Sequence, residues 1–171
     1  DQGSLKKTFE TFEPEIIFHL AAQPLVIESY KDPRLTYETN VMGTVNVLEA
    51  GKKVESIKGI LSVTTDKVYE NSGQIWGYRE TDRLGGFDPY SSSKACADIV
   101  TQSYFSSFYR DLGIGIAPTR AGNVIGGGDW SEYRLIPDIY KSIRQNEPLQ
   151  LRFPNAVRPW QHVLEPLYGY I

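Results

Sequence analysis

The strongest constraint on the fold of this sequence is a regular alternation of short apolar runs with longer amphipathic segments. The apolar runs predict strands at residues 15–22, 59–64 and 114–118. Helices are predicted after the first two runs, at 32–51 and 88–113, each opened by Asp-Pro and closed by glycine. This order predicts an α/β fold with a doubly wound parallel sheet. The first run is apolar almost throughout, which predicts a strand buried on both faces.

The remainder of the chain continues in the same style with shorter elements. Leu135 to Arg144 is predicted to be helical, and Leu149 to Leu151 is predicted to form a short strand. The segment between Lys67 and Tyr90 holds 22 residues, more than a usual connection in a compact domain. It is either a cover for an active site or a surface excursion anchored by its aromatic residues.

Composition narrows the classes of function. The chain has 18 basic and 21 acidic residues, and this net charge of −3 gives no electrostatic argument for binding nucleic acid or a membrane surface. No run approaches the roughly 18 consecutive apolar residues of a membrane span. The single cysteine, Cys96, excludes an internal disulfide, and we predict no metal site.

Candidate site residues follow each predicted strand of the sheet. In doubly wound sheets, ligands bind at the carboxyl ends of the strands. The residues at these positions are Ala21, Ala22 and Gln23 after the first strand, Thr65, Asp66 and Lys67 after the second, and Arg120 to Asn123 after the third. This coincidence predicts a functional site at that edge. A turn that merely ends the second strand is the alternative for Thr65 and Asp66.

Tyr90 and Lys94 carry the clearest chemistry. Side chains four residues apart lie on one face of a helix, so the phenol and the ammonium can converge on one ligand. A nearby cation lowers the pKa of a tyrosine and makes it a usable base. The spacing alone also fits an ordinary surface pair, but its position at a helix start after the long connection favours a catalytic role.

Five ordered blocks give the sequence a family resemblance. They are His19-Leu20-Ala21-Ala22, Thr39-Asn40-Val41-x-Gly43-Thr44, Thr65-Asp66-x-Val68-Tyr69, Tyr90-x-x-x-Lys94 and Arg120-x-x-Asn123-Val124-x-Gly126. In this order they resemble the extended short-chain dehydrogenases/reductases, and among these the nucleotide-sugar 4,6-dehydratases. The segments Ala22–Val26, Thr65–Tyr69, Gly122–Trp130 and Arg158–Val163 are similar to the branch that acts on CDP-glucose.

The resemblance implies an NAD-dependent lyase of deoxysugar and O-antigen biosynthesis. Hydride would pass from C4 of the glucose to NAD while Tyr90 takes the hydroxyl proton and Thr65 orients that hydroxyl. Water would then leave from C5 and C6, with Asp66 as the acid, and hydride would return to C6. The product would be a 4-keto-6-deoxy sugar, and Lys94 would support both Tyr90 and the cofactor.

The role of Lys67 has two possible forms. The resemblance places a base for the C5 proton here, and a lysine serves as a base only when its amine is neutral. A charged Lys67 would instead stabilise the enolate oxygen. We favour the base, and both roles stay open on the residues alone.

Other roles also come from the resemblance. Leu20, Ala21 and Ala22 would line the cofactor, while Asn123 and Arg158 would bind the nucleotide sugar. Asn40 would support the site architecture. His19 is interpreted as a satisfied strand histidine and not as a catalyst.

The resemblance further implies that the sequence is a piece of a longer, cytoplasmic protein. Residues 1–130 would be the later strands of an NAD-binding Rossmann-type domain, and 131–171 the start of a smaller substrate-binding region. The sequence has no glycine-rich pyrophosphate fingerprint, so the isolated piece is expected to bind NAD poorly and to be inactive. The full-length protein is expected to be a homodimer.

Three alternatives remain at this point. The protein could be a nucleotide-sugar 4-epimerase, a 4,6-dehydratase for another nucleotide sugar, or a non-catalytic nucleotide-binding module. An epimerase needs Tyr90 and Lys94 but no acid–base pair such as Asp66 and Lys67.

Overall fold

The computed structural model describes residues 2–171, and it confirms the alternation of strands and helices. The helices are α1 Gln2–Phe12, α2 Val26–Lys31, α3 Pro33–Tyr37, α4 Gly43–Gly51, α5 Pro89–Tyr104, α6 Leu135–Gln145 and α7 Leu164–Tyr170. The strands are β1 Ile16–His19, β2 Gly59–Val63, β3 Gly115–Thr119, β4 Asn123–Ile125 and β5 Trp160–His162. Among the described residues, no helix combines the length and apolar character needed to cross a bilayer.

The chain forms two compact units, which are described separately. The first extends to Ala121 and contains a parallel three-stranded sheet in the order β1-β2-β3. The second is Gly122–Ile171, where β4 pairs in parallel with β5. These units meet at Ala121 and Gly122, and the expected functional division near residue 130 stays a prediction about the whole protein.

The core of the first unit lies between the sheet and the helices α1 and α4. Its buried apolar residues are Phe9, Val47, Leu48, Ala50, Val54, Ile57, Ile60, Tyr109 and Ile116. Tyr109 is fully buried, and its hydroxyl donates to the carbonyl of Leu48. This bond satisfies the one polar atom of the ring inside an apolar cluster.

The prediction that the first strand is buried on both faces was wrong. Ile16 is 60% exposed and Phe18 is 44% exposed. β1 is the edge of the three-stranded sheet and pairs only with β2 among the described residues. Ile16 and Phe18 share one face of the strand, while Ile17 on the opposite face packs against the core, so only one face of β1 is covered.

The two long helical segments begin at the predicted caps. Asp32 accepts from the backbone N–H of Leu35, and Asp88 accepts from that of Ser91. Each segment also contains a π-helical turn, at Glu38–Met42 and at Phe105–Tyr109. Such a turn inserts one extra residue and changes the direction of the side chains within it.

The short strand predicted at Leu149 to Leu151 was also wrong. These residues are irregular and lie exposed after α6. The strand that pairs with β4 is β5, where Asn123 lies opposite Trp160. The segment 149–151 pairs with no strand among the residues the structure describes.

Candidate active site

Tyr90 and Lys94 lie on the buried face of α5, next to the end of β2. Tyr90 is 8% exposed and Lys94 is 7% exposed. The Nζ atom of Lys94 donates to the carbonyl of Val63, the last residue of β2, at 2.9 Å. Burial lowers the pKa of Lys94 to about 8, which leaves the amine largely protonated near neutral pH. A cation therefore lies one helical turn from the phenol of Tyr90, as the spacing predicted.

The chain directly after β2 forms a 3₁₀ turn, Asp66–Val68, that carries Asp66 and Lys67. The hydroxyl of Thr65 donates to Oδ1 of Asp66 at 3.1 Å and accepts from the N–H of Lys67. The N–H of Asp66 donates to the carbonyl of Ala121, which follows β3, at 3.0 Å. The carboxyl ends of two strands thus hold the threonine, the acid and the lysine in one turn. Their chemical roles stay predictions.

Asn40 joins the two long helical segments beside Tyr90. Its Nδ2 donates to Oγ of Ser93 at 2.8 Å, and Ser93 donates in turn to the carbonyl of Tyr90 at 2.7 Å. The other amide atom, Oδ1, accepts from the N–H of Gln23 at 2.8 Å. Asn40 is 2% exposed, so this network satisfies a buried amide and fixes the start of α5. Sequence reasoning found Asn40 but did not single out Ser93.

His19 is a satisfied strand histidine, as interpreted from the sequence. Its Nε2 lies 3.2 Å from Oγ1 of Thr44, and Thr44 uses its own proton on the carbonyl of Asn40. Nε2 must therefore carry the hydrogen and donate it. Burial, with the nearby charge of Lys94, lowers the pKa of His19 to about 4. The ring is therefore neutral at physiological pH, and the nearby charge of Lys94 disfavours its protonation.

A neutral buried His19 predicts acid sensitivity of the fold. The unfolded chain binds the proton with a pKa of 6.5 and the folded chain with a pKa of about 4, so folding stability falls as pH drops through that window. In the full-length wild-type protein, the free energy of unfolding should fall by about 2 kcal/mol as the pH drops through this window, a figure discounted for the partly exposed ring. His19→Gln should remove this fall. Urea unfolding at both ends of the window measures this loss. His162→Gln, at the other histidine, is the control, and an unchanged pH dependence in His19→Gln would contradict the assignment.

The long connection before α5 is held against the helix start. Tyr69 and Leu84 form an antiparallel bridge at its base. A Cβ on Gly86 would lie 2.2 Å from the backbone of Ser91 and Ser92, so only glycine fits at this approach. Asp88 then caps the helix two residues before Tyr90. The connection thus sets where α5, and with it Tyr90, begins.

Sequence reasoning missed a buried ion pair behind this site. Arg120 contacts Asp98 with two nitrogens, and the Asp98 side chain is fully buried. Asp98 lies four residues after Lys94 and eight after Tyr90, so it extends the same helix face. That spacing was the available signal, because a charged residue on a buried face needs a partner.

Leu20 and Ala21 lie at the end of β1 and line an open cavity of about 430 Å³. Phe18 and His19 line it as well, and Glu38, Thr39 and Asn46 add polar groups to its walls. A cavity that combines apolar walls with a few polar groups suits the nicotinamide end of the NAD that the resemblance implies. The contact of Ala22 with a cofactor stays a prediction.

The two predicted substrate ligands both belong to the second unit. The N–H of Asn123 donates to the carbonyl of Pro159 at 3.0 Å, which brings Asn123 near the segment of Arg158. Arg158 is exposed, and its Nη1 donates to the carbonyl of Val157 at 2.8 Å. Their binding of a nucleotide sugar is not tested by these contacts and stays a prediction.

Comparison with known proteins agrees with this architecture. The profile of the family described as GDP-mannose 4,6 dehydratase matches residues 1–169. The chain is 53% identical to the CDP-glucose 4,6-dehydratase of Salmonella typhimurium, over 100% of this chain and 49% of that protein. It is 28% identical to the dTDP-glucose 4,6-dehydratase of the same organism, over 95% of this chain and 49% of that protein. The chain thus spans about half the length of the curated relatives it matches.

Solved structures show the same fold. The dTDP-glucose 4,6-dehydratase DesIV of Streptomyces venezuelae, with NAD and TYD bound, matches with a TM-score of 0.85 at 27% identity, over 99% of this chain and 50% of that one. The UDP-glucose 4-epimerase of Thermotoga maritima matches with a TM-score of 0.88 at 21% identity, over 99% and 54%, and this likeness concerns the fold alone. On the profile match and the 53% identity, the chain belongs to the GDP-mannose 4,6-dehydratase family of nucleotide-sugar dehydratases.

Proposed function

We propose that the full-length protein converts CDP-glucose to CDP-4-keto-6-deoxyglucose. The observation that carries this proposal is the buried Tyr90 and Lys94 pair on α5, beside the turn that holds Asp66 and Lys67. Identity of 53% to a CDP-glucose 4,6-dehydratase supports the choice of nucleotide sugar. The NAD bound in the DesIV structure supports the cofactor.

Tyr90 is proposed to take the proton of the C4 hydroxyl. The protonated Lys94, four residues along the same face, favours the phenolate form of Tyr90. Thr65 orients the hydroxyl that loses its proton. When bound next to Leu20 and Ala21, NAD would accept hydride from C4 and later return it to C6.

Asp66 and Lys67 are proposed to carry out the loss of water. The C4 ketone acidifies the C5 hydrogen, which leaves as a proton to the neutral amine of Lys67. The C6–oxygen bond then breaks, and the leaving hydroxyl takes the proton of Asp66 and departs as water. When hydride returns to C6, the ammonium of Lys67 gives its proton back to C5, which completes the 4-keto-6-deoxy sugar. The hydrogen bond from Thr65 to Asp66 keeps the acid in the same turn as the base. In the second unit, Asn123 and Arg158 would hold the nucleotide sugar, the arginine through the diphosphate.

The test is a substrate panel with the purified full-length protein. CDP-glucose, dTDP-glucose and UDP-galactose are each incubated with the protein and NAD, and the products are separated by mass. We expect CDP-glucose to be converted fastest, to a product lighter by one water and without net consumption of NAD. A product of unchanged mass would indicate epimerisation and contradict dehydration. Faster conversion of dTDP-glucose would overturn the substrate while leaving the reaction in place.

A further inference from the structure

Arg120 makes an unusually complete set of contacts at the end of β3. Its Nε lies 2.7 Å from Oδ2 of Asp98 and its Nη2 lies 2.8 Å from Oδ1. The side chain of Arg120 is 11% exposed and that of Asp98 is 0% exposed. This is a bidentate pair in a largely dry environment, where the planar fork of arginine fixes direction as well as distance.

The third guanidinium nitrogen of Arg120, Nη1, contacts the segment 69–80. Nη1 donates to the hydroxyl of Tyr69 at 3.0 Å and to the carbonyl of Glu80 at 2.9 Å. The guanidinium carbon also lies 5.0 Å from the centre of the Tyr69 ring, which itself stacks on Tyr78 at 5.0 Å. One side chain thus joins helix α5 to both ends of the segment 69–80.

The contacts of Arg120 reach both segments that carry the proposed catalytic groups, the turn after β2 and helix α5. Tyr69 follows the turn Asp66–Val68 directly, and the N–H of Asp66 bonds to Ala121, the neighbour of Arg120. On the other side, Asp98 shares the buried face of α5 with Tyr90. Arg120 therefore bonds both to α5 and to the residue after the turn.

We propose that Arg120 is a positioning residue that sets the distance between the Asp66–Lys67 turn and Tyr90. This inference rests on the proposed function, because it assigns proton removal at C5 and loss of the C6 hydroxyl to that turn. Arg120 touches neither reacting atom in this account. It acts by keeping the turn and the tyrosine aligned on one sugar ring, and a displacement near 1 Å at such a site costs on the order of 100-fold in rate.

The test is Arg120→Lys in the full-length protein, which keeps the charge and removes the fork. We expect kcat to fall by about 100-fold with KM little changed, because substrate binding does not use this contact. With CDP-glucose deuterated at C5, the isotope effect on kcat should rise above the wild-type value, since proton removal by the displaced turn becomes slower. A general loss of folded protein would lower activity without raising the isotope effect.

Two further variants keep the test decisive. Tyr69→Phe removes one hydrogen bond and leaves the ion pair, so a smaller fall in kcat with the same rise in isotope effect is expected even if Arg120→Lys does not fold. Arg34→Lys changes an exposed arginine paired with Glu38 and should behave as wild type. An unchanged kcat or an unchanged isotope effect in both Arg120→Lys and Tyr69→Phe would overturn the proposal. Wild-type protein that dehydrates no nucleotide sugar would overturn the proposed function instead.

Discussion

Tyr90→Phe is expected to lower kcat for dehydration by about a thousandfold, the largest effect on activity that we predict. The substitution removes the only atom of Tyr90 that can take the C4 proton and keeps the ring that fills the buried position at the start of α5. The network from Asn40 through Ser93 reaches the backbone carbonyl of residue 90, so it is unaffected by the change. Binding of the nucleotide sugar should therefore change much less than turnover.

The matched control is Tyr104→Phe on the same helix. The hydroxyl of Tyr104 donates to Oε1 of Glu49 at 2.8 Å, away from the strand ends. Its loss should leave kcat near the wild-type value. Steady-state rates of product formation by the full-length variants measure both effects. A Tyr90→Phe enzyme that keeps a tenth of its activity would show that another group removes the proton.

Asp98→Ala is expected to give the largest loss of stability, about 3–5 kcal/mol in the free energy of unfolding. The change leaves the guanidinium of Arg120 buried without its carboxylate, and Gln102 loses the acceptor that it shares with Arg120. Because removing one partner of a buried pair exposes the full desolvation cost of the other, the loss should exceed that of any exposed pair.

Asp138→Ala serves as the comparison. Asp138 pairs with Arg152 at 3.1 Å, and the two side chains are 24% and 43% exposed, so its removal should cost less than about 1 kcal/mol. Urea unfolding of both full-length variants at neutral pH measures the difference. Similar midpoints for Asp98→Ala and Asp138→Ala would contradict the importance assigned to the buried pair.

The parts of the fold that the sequence predicted are those with strong local signals. Asp-Pro pairs marked the starts of the segments containing α3 and α5, and both caps are present. Helix α2 was missed because Leu25, at its N-cap, supplies no capping side chain. Strand β5 has three residues, too few for a period to be visible. The run at 149–151 was apolar but had nothing to pair with, and only tertiary structure decides that.

In the candidate site, too, the features with local sequence signals were predictable and those set by tertiary structure were not. The shared face of Tyr90 and Lys94 follows from helix geometry and was predictable. Asp98 lies on that face too, but its partner Arg120 is 22 residues away and comes from a strand end. Which cation meets a buried carboxylate depends on sheet order and register, and the sequence alone does not determine these. The position of Thr65, Asp66 and Lys67 at the carboxyl end of a strand was predicted, and their roles await the experiments above.

The π-helical turn at Glu38–Met42 has a consequence for protein engineering. Deleting one residue there would restore ordinary winding and change the directions of the side chains that now lie within the turn, Asn40 among them. Asn40 would then no longer face Ser93, although every side chain of the site would still be encoded. Chimeras and loop grafts between relatives should therefore preserve the residue count through this turn. A shortened helix would contain every residue of the site and still lack the contact between Asn40 and Ser93.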